Sequence, residues 1–226
     1  MNEAKKTNAL RGKEFVEKYF QGNVIDIGAG DDLVCEWAER FDIEDGDANE
    51  ISKYRKLSFY DTVHSSHCLE HMRDPAIAIS DWWSLVKPGG YLVVVVPDED
   101  LYEQGIWPSR FNRDHKHTFC VDKSNTWSPA SHDIKKLVAE LPGSLIISTE
   151  LHDYGYDYSI QFNSTQKIRS RPIIFPILEK LLRLAPVYKN YCIRKLAEIE
   201  YCYGVPVDQT LLESLAQIQI IAKKAW

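Results

Sequence analysis

The run YLVVVVP at positions 91–97 limits the folds open to this chain more than any other feature. Its β-branched residues favour a strand, and the lack of polar alternation indicates that both faces of this strand are covered. Apolar runs at 24–27 (VIDI) and 59–66 (FYDTVHSS) predict two further strands, with helical patterns between them. This alternation predicts an α/β fold with a doubly wound, mostly parallel sheet.

Helices are expected before, between and after these strands. The patterns predict helices over 8–21, 32–40, 74–85 and 128–141, and strands over 145–150 and 217–224. Helical stretches bounded by prolines between 160 and 206 are interpreted as an insertion over one sheet edge or over the site. We therefore expect one domain, with an N-terminal helix (1–22), a core (23–159), a helical insertion (160–206) and a last strand (207–226).

Composition narrows the class of partner. The 226 residues include 27 Lys and Arg against 33 Asp and Glu, for a formal net charge of -6, which argues against a general nucleic-acid partner. No apolar run approaches the ~20 residues of a membrane span, and the first residues do not resemble a signal peptide. Five cysteines without a CxxC spacing are typical of a reducing compartment. We expect a cytoplasmic protein with a small-molecule substrate, and leave open whether it self-associates.

Gly28 and Gly30 follow the first predicted strand, where open α/β sheets bind their ligands. Glycine lets the backbone turn sharply and approach a ligand closely. The loop reads GAGDDL, so it lacks the third glycine of the dinucleotide fingerprint, and Asp26 and Asp31 would repel phosphates. An NAD-dependent dehydrogenase is therefore disfavoured. A phosphate-free nucleoside with a cationic tail, such as S-adenosylmethionine, suits the loop better.

Four motifs occur in order: VIDIGAG (24–30), GDA (46–48), SSHCLEHMRDP (65–75) and WSLVKPGGYLVVVVP (83–97). In these motifs, over residues 22 to about 150, the chain resembles the class I S-adenosylmethionine-dependent methyltransferases of the small single-domain type. The resemblance implies a Rossmann-like sheet with one antiparallel C-terminal strand. It also implies that S-adenosylmethionine is the cofactor and that the chain is an enzyme transferring its methyl group.

The resemblance assigns roles in cofactor binding. Gly28, Ala29 and Gly30 would lie against the methionine part, and Asp26 would hold its ammonium group or order the loop. Asp47, next to Ala48, would face the adenine, although a turn-forming aspartate is the alternative. Ser65, Ser66 and His67 would follow the strand that faces the transferred methyl group.

The acid that binds the ribose is less certain from the sequence, because FDIEDGDA (41–48) follows the glycine loop after an unusually short interval. Asp42, Glu44 and Asp45 compete for this role. Asp42 is favoured weakly, since the alternation in DIE puts Asp42 and Glu44 on the same face.

The polar, aromatic segment 97–119 follows the central strand, where this fold places its substrate loop. His115 is the expected base or phosphate contact, and His67 is a second catalytic residue. Trp107, Arg110, Asp114 and Lys116 are the expected substrate contacts. A capped structural turn is the alternative. No metal ion is expected, although the spacings of His67 with His71 and of His115 with His117 leave a metal site as an alternative.

The expected reaction is methyl transfer to oxygen or nitrogen of a small polar metabolite, phosphorylated or nucleotide-linked, or of a glycan. The stretch WPSRFNRDHKHTF (107–119) resembles segments of bacterial relatives from surface-polysaccharide pathways. The rival hypothesis is a non-catalytic, cofactor-binding scaffold subunit that docks a partner through ILEKLLRL (177–184) in the inserted helices.

Overall fold

A computed structural model describes residues 3–163, 165–182 and 189–226 of the chain. Its main sheet has six strands in the order β2-β1-β3-β4-β8-β7. These strands are β1 (Val24–Ile27), β2 (Glu39–Phe41), β3 (Tyr60–Ser66), β4 (Val86–Pro97), β7 (Ser144–His152) and β8 (Gln217–Lys224). The first four run parallel, and β8 is antiparallel to both β4 and β7. The predicted sheet, with its antiparallel C-terminal strand, is confirmed.

Both faces of the sheet are covered, as the run at 91–97 predicts. Alternate residues of β4 enter two separate apolar clusters, with Val94 in one and Val93 in the other. Helix α3 (Pro75–Leu85) covers the first face with the fully buried Trp82. Helix α2 (Lys13–Tyr19) and Phe20 cover the second face. Trp82 and Trp83 are thus core residues.

The helix predicted over 32–40 is wrong. Irregular turns lead from Gly28 to β2, and Arg40 already belongs to that strand. Tertiary hydrogen bonds hold this segment in place of a helical ladder: the Asp26 carboxylate accepts from the Val34 amide at 2.7 Å, and the Trp37 indole donates to the Phe20 carbonyl at 3.0 Å. Tertiary contacts therefore override the helix propensity of this segment.

Two other predicted helices have different bounds. The N-terminal one is divided into α1 (Glu3–Leu10) and α2, because the guanidinium of Arg11 turns into the sheet and donates to Gln219 Oε1 at 2.7 Å. The one over 128–141 is reduced to α4 (Ile134–Ala139). Residues before it form β6 (Ser131–Asp133), which pairs in parallel with β5 (Thr118–Cys120) in a small second sheet.

The stretch interpreted as an insertion contains α5 (Ile174–Leu182) and α6 (Lys189–Tyr203). Residues 164 and 183–188 of that stretch, including the end of ILEKLLRL, lie outside the described residues. Helix α5 leaves Ile174, Ile177 and Leu181 half exposed. In the described ranges, no helix has both the length and the apolar character that a bilayer span needs.

Candidate active site

A cavity of about 710 Å³ opens at the carboxyl ends of β1, β2 and β3. Of the residues singled out in the sequence, the cavity is lined by Gly28, Asp42, Asp47, Ala48, His67, Asp114 and Lys116. The volume falls in the usual range for small-molecule sites. Segments that are distant in the sequence, around 28, 41–49, 67–72 and 114–116, therefore meet at the sheet edge where ligands bind in this class of fold.

Gly28 is the position where this wall requires glycine. Its φ is +76°, and a Cβ added there would lie 2.7 Å from Sγ of Cys68. Gly30 has a φ of +56°, but a Cβ there would meet no heavy atom within 4 Å. The two glycines share the left-handed conformation and differ in the space around them.

Alanine substitutions at the two glycines separate the cost of backbone strain from the cost of a steric clash. Gly30→Ala should cost about 1–2 kcal/mol of unfolding free energy from backbone strain alone. Gly28→Ala should cost about 1–3 kcal/mol more, because Cys68 must move, and should also weaken S-adenosylmethionine binding. Urea unfolding and calorimetric titration of both variants measure this, and equal losses would contradict the steric argument.

Asp42 is the only one of the three competing acids that lines the cavity. It directly follows β2, and its Oδ2 accepts from the Gly30 amide at 2.7 Å. Glu44 has a side chain 72% exposed and pairs with Arg40 at 2.5 Å, while Asp45 pairs with Arg40 at 3.3 Å. The geometry therefore favours Asp42 for the ribose.

Asp47 lines the cavity and also forms a turn. Its Oδ1 accepts from the Asn49 amide at 2.9 Å, so it caps that turn. The Asn49 hydrogen bonds, with a further contribution from Arg73 at 3.0 Å, lower the pKa of Asp47. Its carboxylate is therefore ionised at neutral pH and able to accept from an adenine amino group.

Some predicted cofactor residues do not line the cavity: Asp26, Ala29, Gly30, Ser65 and Ser66. Asp26 is 2% exposed, and its Oδ1 lies 2.6 Å from Nδ1 of His64. The second nitrogen of His64 lies 3.2 Å from Nη1 of Arg11. Asp26 thus accepts a hydrogen bond from the Val34 amide in the segment after the glycine loop and lies outside the cavity wall. The Ser65 hydroxyl donates to the Ile27 carbonyl, inside the sheet.

The buried His64 makes stability depend on pH. Burial lowers its pKa, against the opposing effect of Asp26. Below the unfolded-state pKa of about 6.5 the unfolded chain then binds more protons than the native one. The unfolding free energy should therefore fall as pH drops from about 6.5 toward the native pKa. Denaturant curves between neutral and acidic pH test this, and NMR titration should show a neutral His64 ring below pH 6.5.

Four side chains beside the cavity form a histidine–glutamate cluster, consisting of His67, Glu70, His71 and His115. Glu70 is fully buried, and within the described part of the chain neither carboxylate oxygen has a hydrogen-bond partner. Its Oε1 lies 3.5 Å from Nδ1 of His67 and 3.9 Å from Nε2 of both His71 and His115. Burial raises the pKa of Glu70, but the neighbouring histidines, His67 above all, lower it by more when they are protonated, so the net shift is downward.

The predicted substrate loop is divided between two cavities. Asp114 and Lys116 line the first, where Asp114 Oδ2 lies 3.0 Å from Nδ1 of His71. Arg110 lines a second cavity of about 260 Å³ formed with α6. Trp107 lines neither. His115 lies behind the first cavity, with Nδ1 2.7 Å from Oε1 of the buried Glu103.

Sequence reasoning missed Glu70 and Glu103. Glu70 lies inside the LEH motif quoted for the resemblance, between two histidines, and that position was a usable signal. Glu103 stands in an acidic stretch, PDEDLYE, with no feature that marks it out. His64 and Arg11 were missed because only the fold brings them to Asp26.

The chain has relatives among known protein families and solved structures. The family described as "Methyltransferase domain" matches residues 4–139. A SAM-dependent methyltransferase from Archaeoglobus fulgidus is similar in structure, with 16% identity, a TM-score of 0.49, and coverage of 98% of this chain and 94% of that one. YcgJ from Bacillus subtilis is similar with 13% identity, a TM-score of 0.49, and coverage of 98% and 97%. Among curated proteins, no significant match is found.

Proposed function

This chain belongs to the methyltransferase-domain family, which uses S-adenosylmethionine, and we propose that it methylates an oxygen or nitrogen of a small polar metabolite. One observation carries the proposal: the cavity that holds Gly28, Asp42 and Asp47 also reaches the histidine–glutamate cluster through His67 and His71. The candidate cofactor site and a set of proton-accepting groups thus lie in the same cavity. As part of the proposal, the chain works as one cytoplasmic domain.

The cofactor half follows from the chemistry of S-adenosylmethionine. Its ribose diol donates to Asp42, its adenine amino group donates to Asp47, and its methionine part lies against Gly28. The glycine loop lacks the third glycine of the dinucleotide fingerprint, and carboxylates surround it. It therefore suits a ligand that carries a sulfonium and an ammonium group but no phosphate.

The acceptor half uses His115 and His67. The Glu103 carboxylate holds a proton on Nδ1 of His115. Because His115 lies behind the cavity wall with Nε2 3.9 Å from Glu70, the acceptor's proton would reach Nε2 by way of His71 and Glu70. The acceptor atom then bonds to the methyl carbon while the carbon–sulfur bond breaks, and the electron pair remains on sulfur. His67, at the end of β3, orients the reacting groups.

The acceptor class follows from nearby charges. Lys116 lines the cofactor cavity, and Arg110 and Arg171 line the second cavity. Arg171 pairs with Glu179 and Glu200 in that cavity, so Lys116 and Arg110 are the cations that would meet the acceptor. They suit a phosphorylated or nucleotide-linked metabolite, or an acidic glycan of a surface-polysaccharide pathway.

Calorimetric titration of S-adenosylmethionine tests the cofactor half. Asp42→Asn keeps an oxygen for the Gly30 amide but removes the charge that binds the ribose. We expect about 10–100-fold weaker binding, since a hydrogen bond to a charged group contributes about 1.5–3 kcal/mol. The matched control Glu44→Gln removes an exposed carboxylate two residues away and should bind normally. Equal affinity of both variants would contradict the assignment of Asp42.

A screen of acceptors with S-adenosylmethionine, read as formation of S-adenosylhomocysteine, tests the reaction. Phosphorylated sugars, nucleotide sugars and their unphosphorylated counterparts form the panel. Turnover with any of them excludes the scaffold hypothesis. Cofactor binding without turnover on any of them would favour the scaffold, whose docking surface would include the half-exposed Ile174, Ile177 and Leu181.

A further inference from the structure

Three ligand atoms of the histidine–glutamate cluster are arranged as in metal sites. Glu70, His71 and His115 each offer one atom, and these atoms all lie within 4.8 Å of one another. Two imidazoles and one carboxylate on one side of an ion, with open positions opposite, form a common catalytic set. The sequence spacings had suggested other histidine pairs, and the fold selects this one.

The outer nitrogens of both histidines face acceptors. Nδ1 of His115 faces the Glu103 carboxylate at 2.7 Å, and Nδ1 of His71 faces Asp114 Oδ2 at 3.0 Å. Each Nδ1 therefore carries a proton, so the Nε2 of the neutral ring presents a lone pair toward Glu70. A ring oriented from behind by a carboxylate is the usual outer support of a metal-binding histidine.

Glu70 supplies the independent observation. Its carboxylate is 0% exposed, and both oxygens lack a hydrogen bond among the described residues. A buried carboxylate is normally paired by hydrogen bonds or binds a metal, because burying a bare charge is costly. The lone pairs of His71 and His115 cannot donate to it, and His67, with Nδ1 3.5 Å from Oε1, can reach only one of the two oxygens at a long distance. A cation between the three atoms satisfies all of them.

We propose that Glu70, His71 and His115 bind one divalent transition-metal ion at the wall of the cofactor cavity. Imidazole ligands favour zinc and its neighbours over magnesium or calcium. Ligand atoms about 2.1 Å from a tetrahedral ion lie about 3.4 Å apart. The two separations of 3.9 Å from Glu70 must therefore close by about half an ångström, and the separation of the two histidine nitrogens, at most 4.8 Å, must close to the same value. A rotation of the side chains achieves this.

The role of the ion, unlike its location, rests on the function proposed above. His71 belongs to both the cluster and the cavity wall, so the open coordination positions face the acceptor. A hydroxyl bound there loses its proton to solvent more readily. Its oxygen then bonds to the methyl carbon as the carbon–sulfur bond breaks. In this form Nε2 of His115 is a ligand and not the base, and the acceptor is an alcohol.

Metal titration of the full chain tests the site without relying on activity. Zinc is titrated by calorimetry, and cobalt by its visible absorption. We expect one ion per chain, at least about 100-fold weaker binding in Glu70→Gln and His71→Asn, and about 10–100-fold weaker binding in Glu103→Gln, which only positions His115. His132→Asn is the control, because His132 contacts His117 and lies outside the cluster.

Two results would overturn the metal site. One is a wild-type chain that binds neither ion at about 100 µM, far above the dissociation constants usual for zinc sites. The other is unchanged binding in both Glu70→Gln and His71→Asn. Circular dichroism and titration of S-adenosylmethionine on the same samples keep folding and cofactor binding separate. A chain that binds S-adenosylmethionine but no metal rejects only this inference, whereas one that fails to bind S-adenosylmethionine rejects the proposed function.

Discussion

His115→Asn should lower kcat for the acceptor found in the screen by about 10²–10⁴-fold, the usual contribution of a positioned acid–base group. His115 has a side chain 3% exposed, Glu103 behind it and Glu70 in front. As a base it takes the acceptor's proton, and as a ligand it holds the ion that binds the acceptor. In both roles the substitution should lower kcat and leave cofactor affinity unchanged, because His115 does not line the cofactor cavity.

The controls separate catalysis from folding. Binding of S-adenosylmethionine by His115→Asn should stay within about threefold of wild type. His132→Asn, which removes a half-buried histidine outside the cluster, should keep its turnover. A variant that loses cofactor affinity and kcat together would assign His115 to the shape of the site and not to the chemistry.

Asp26→Ala should lower the unfolding free energy by about 3–5 kcal/mol, as expected when one member of a buried, charged, hydrogen-bonded set is removed. The change strands two buried groups, the Val34 amide and Nδ1 of His64, and leaves the Arg11 charge without its nearest carboxylate. For a chain of this length, Tm should fall by about 6–20 °C.

Asp26→Asn keeps one acceptor oxygen and should lose less than alanine does. Asp31→Ala, five residues along the same loop, removes an exposed carboxylate and should stay within about 0.5 kcal/mol of wild type. Thermal and urea unfolding of the three variants measure these differences. A small loss in Asp26→Ala would show that the network under the glycine loop is dispensable.

The parts of the fold that could be predicted are those in which one local pattern has one interpretation. The unbroken β-branched run became the long central strand, and Asp74-Pro75 began α3 as its cap and first residue. The helix predicted over 32–40 is wrong although the composition of this segment is helical. Hydrogen bonds to Asp26 and Phe20, which lie elsewhere in the sequence, hold the segment in another conformation. Propensity decides only where such contacts do not compete.

The site also contains residues that the sequence could predict and residues that it could not. Residues that directly follow a strand, such as Gly28, Asp42 and His67, reach the cavity, because strand ends converge at one edge of a parallel sheet. Arg110 and Trp107 lie on a loop whose path no periodicity determines, and they end up away from it. Glu70 lies in the LEH motif and could have been singled out there, whereas Glu103 becomes conspicuous only through burial, which a sequence does not display.

The position of β8 between β4 and β7 has a consequence for synthesis. β7 joins the sheet only through β8, and Gln219 of β8 also holds Arg11 above the His64–Asp26 pair. On the ribosome, the strands that emerge first must wait with one edge open until residues 217–224 leave the exit tunnel. Every nascent copy therefore passes through a stage with an unpaired strand edge, which is when chaperones would be needed most.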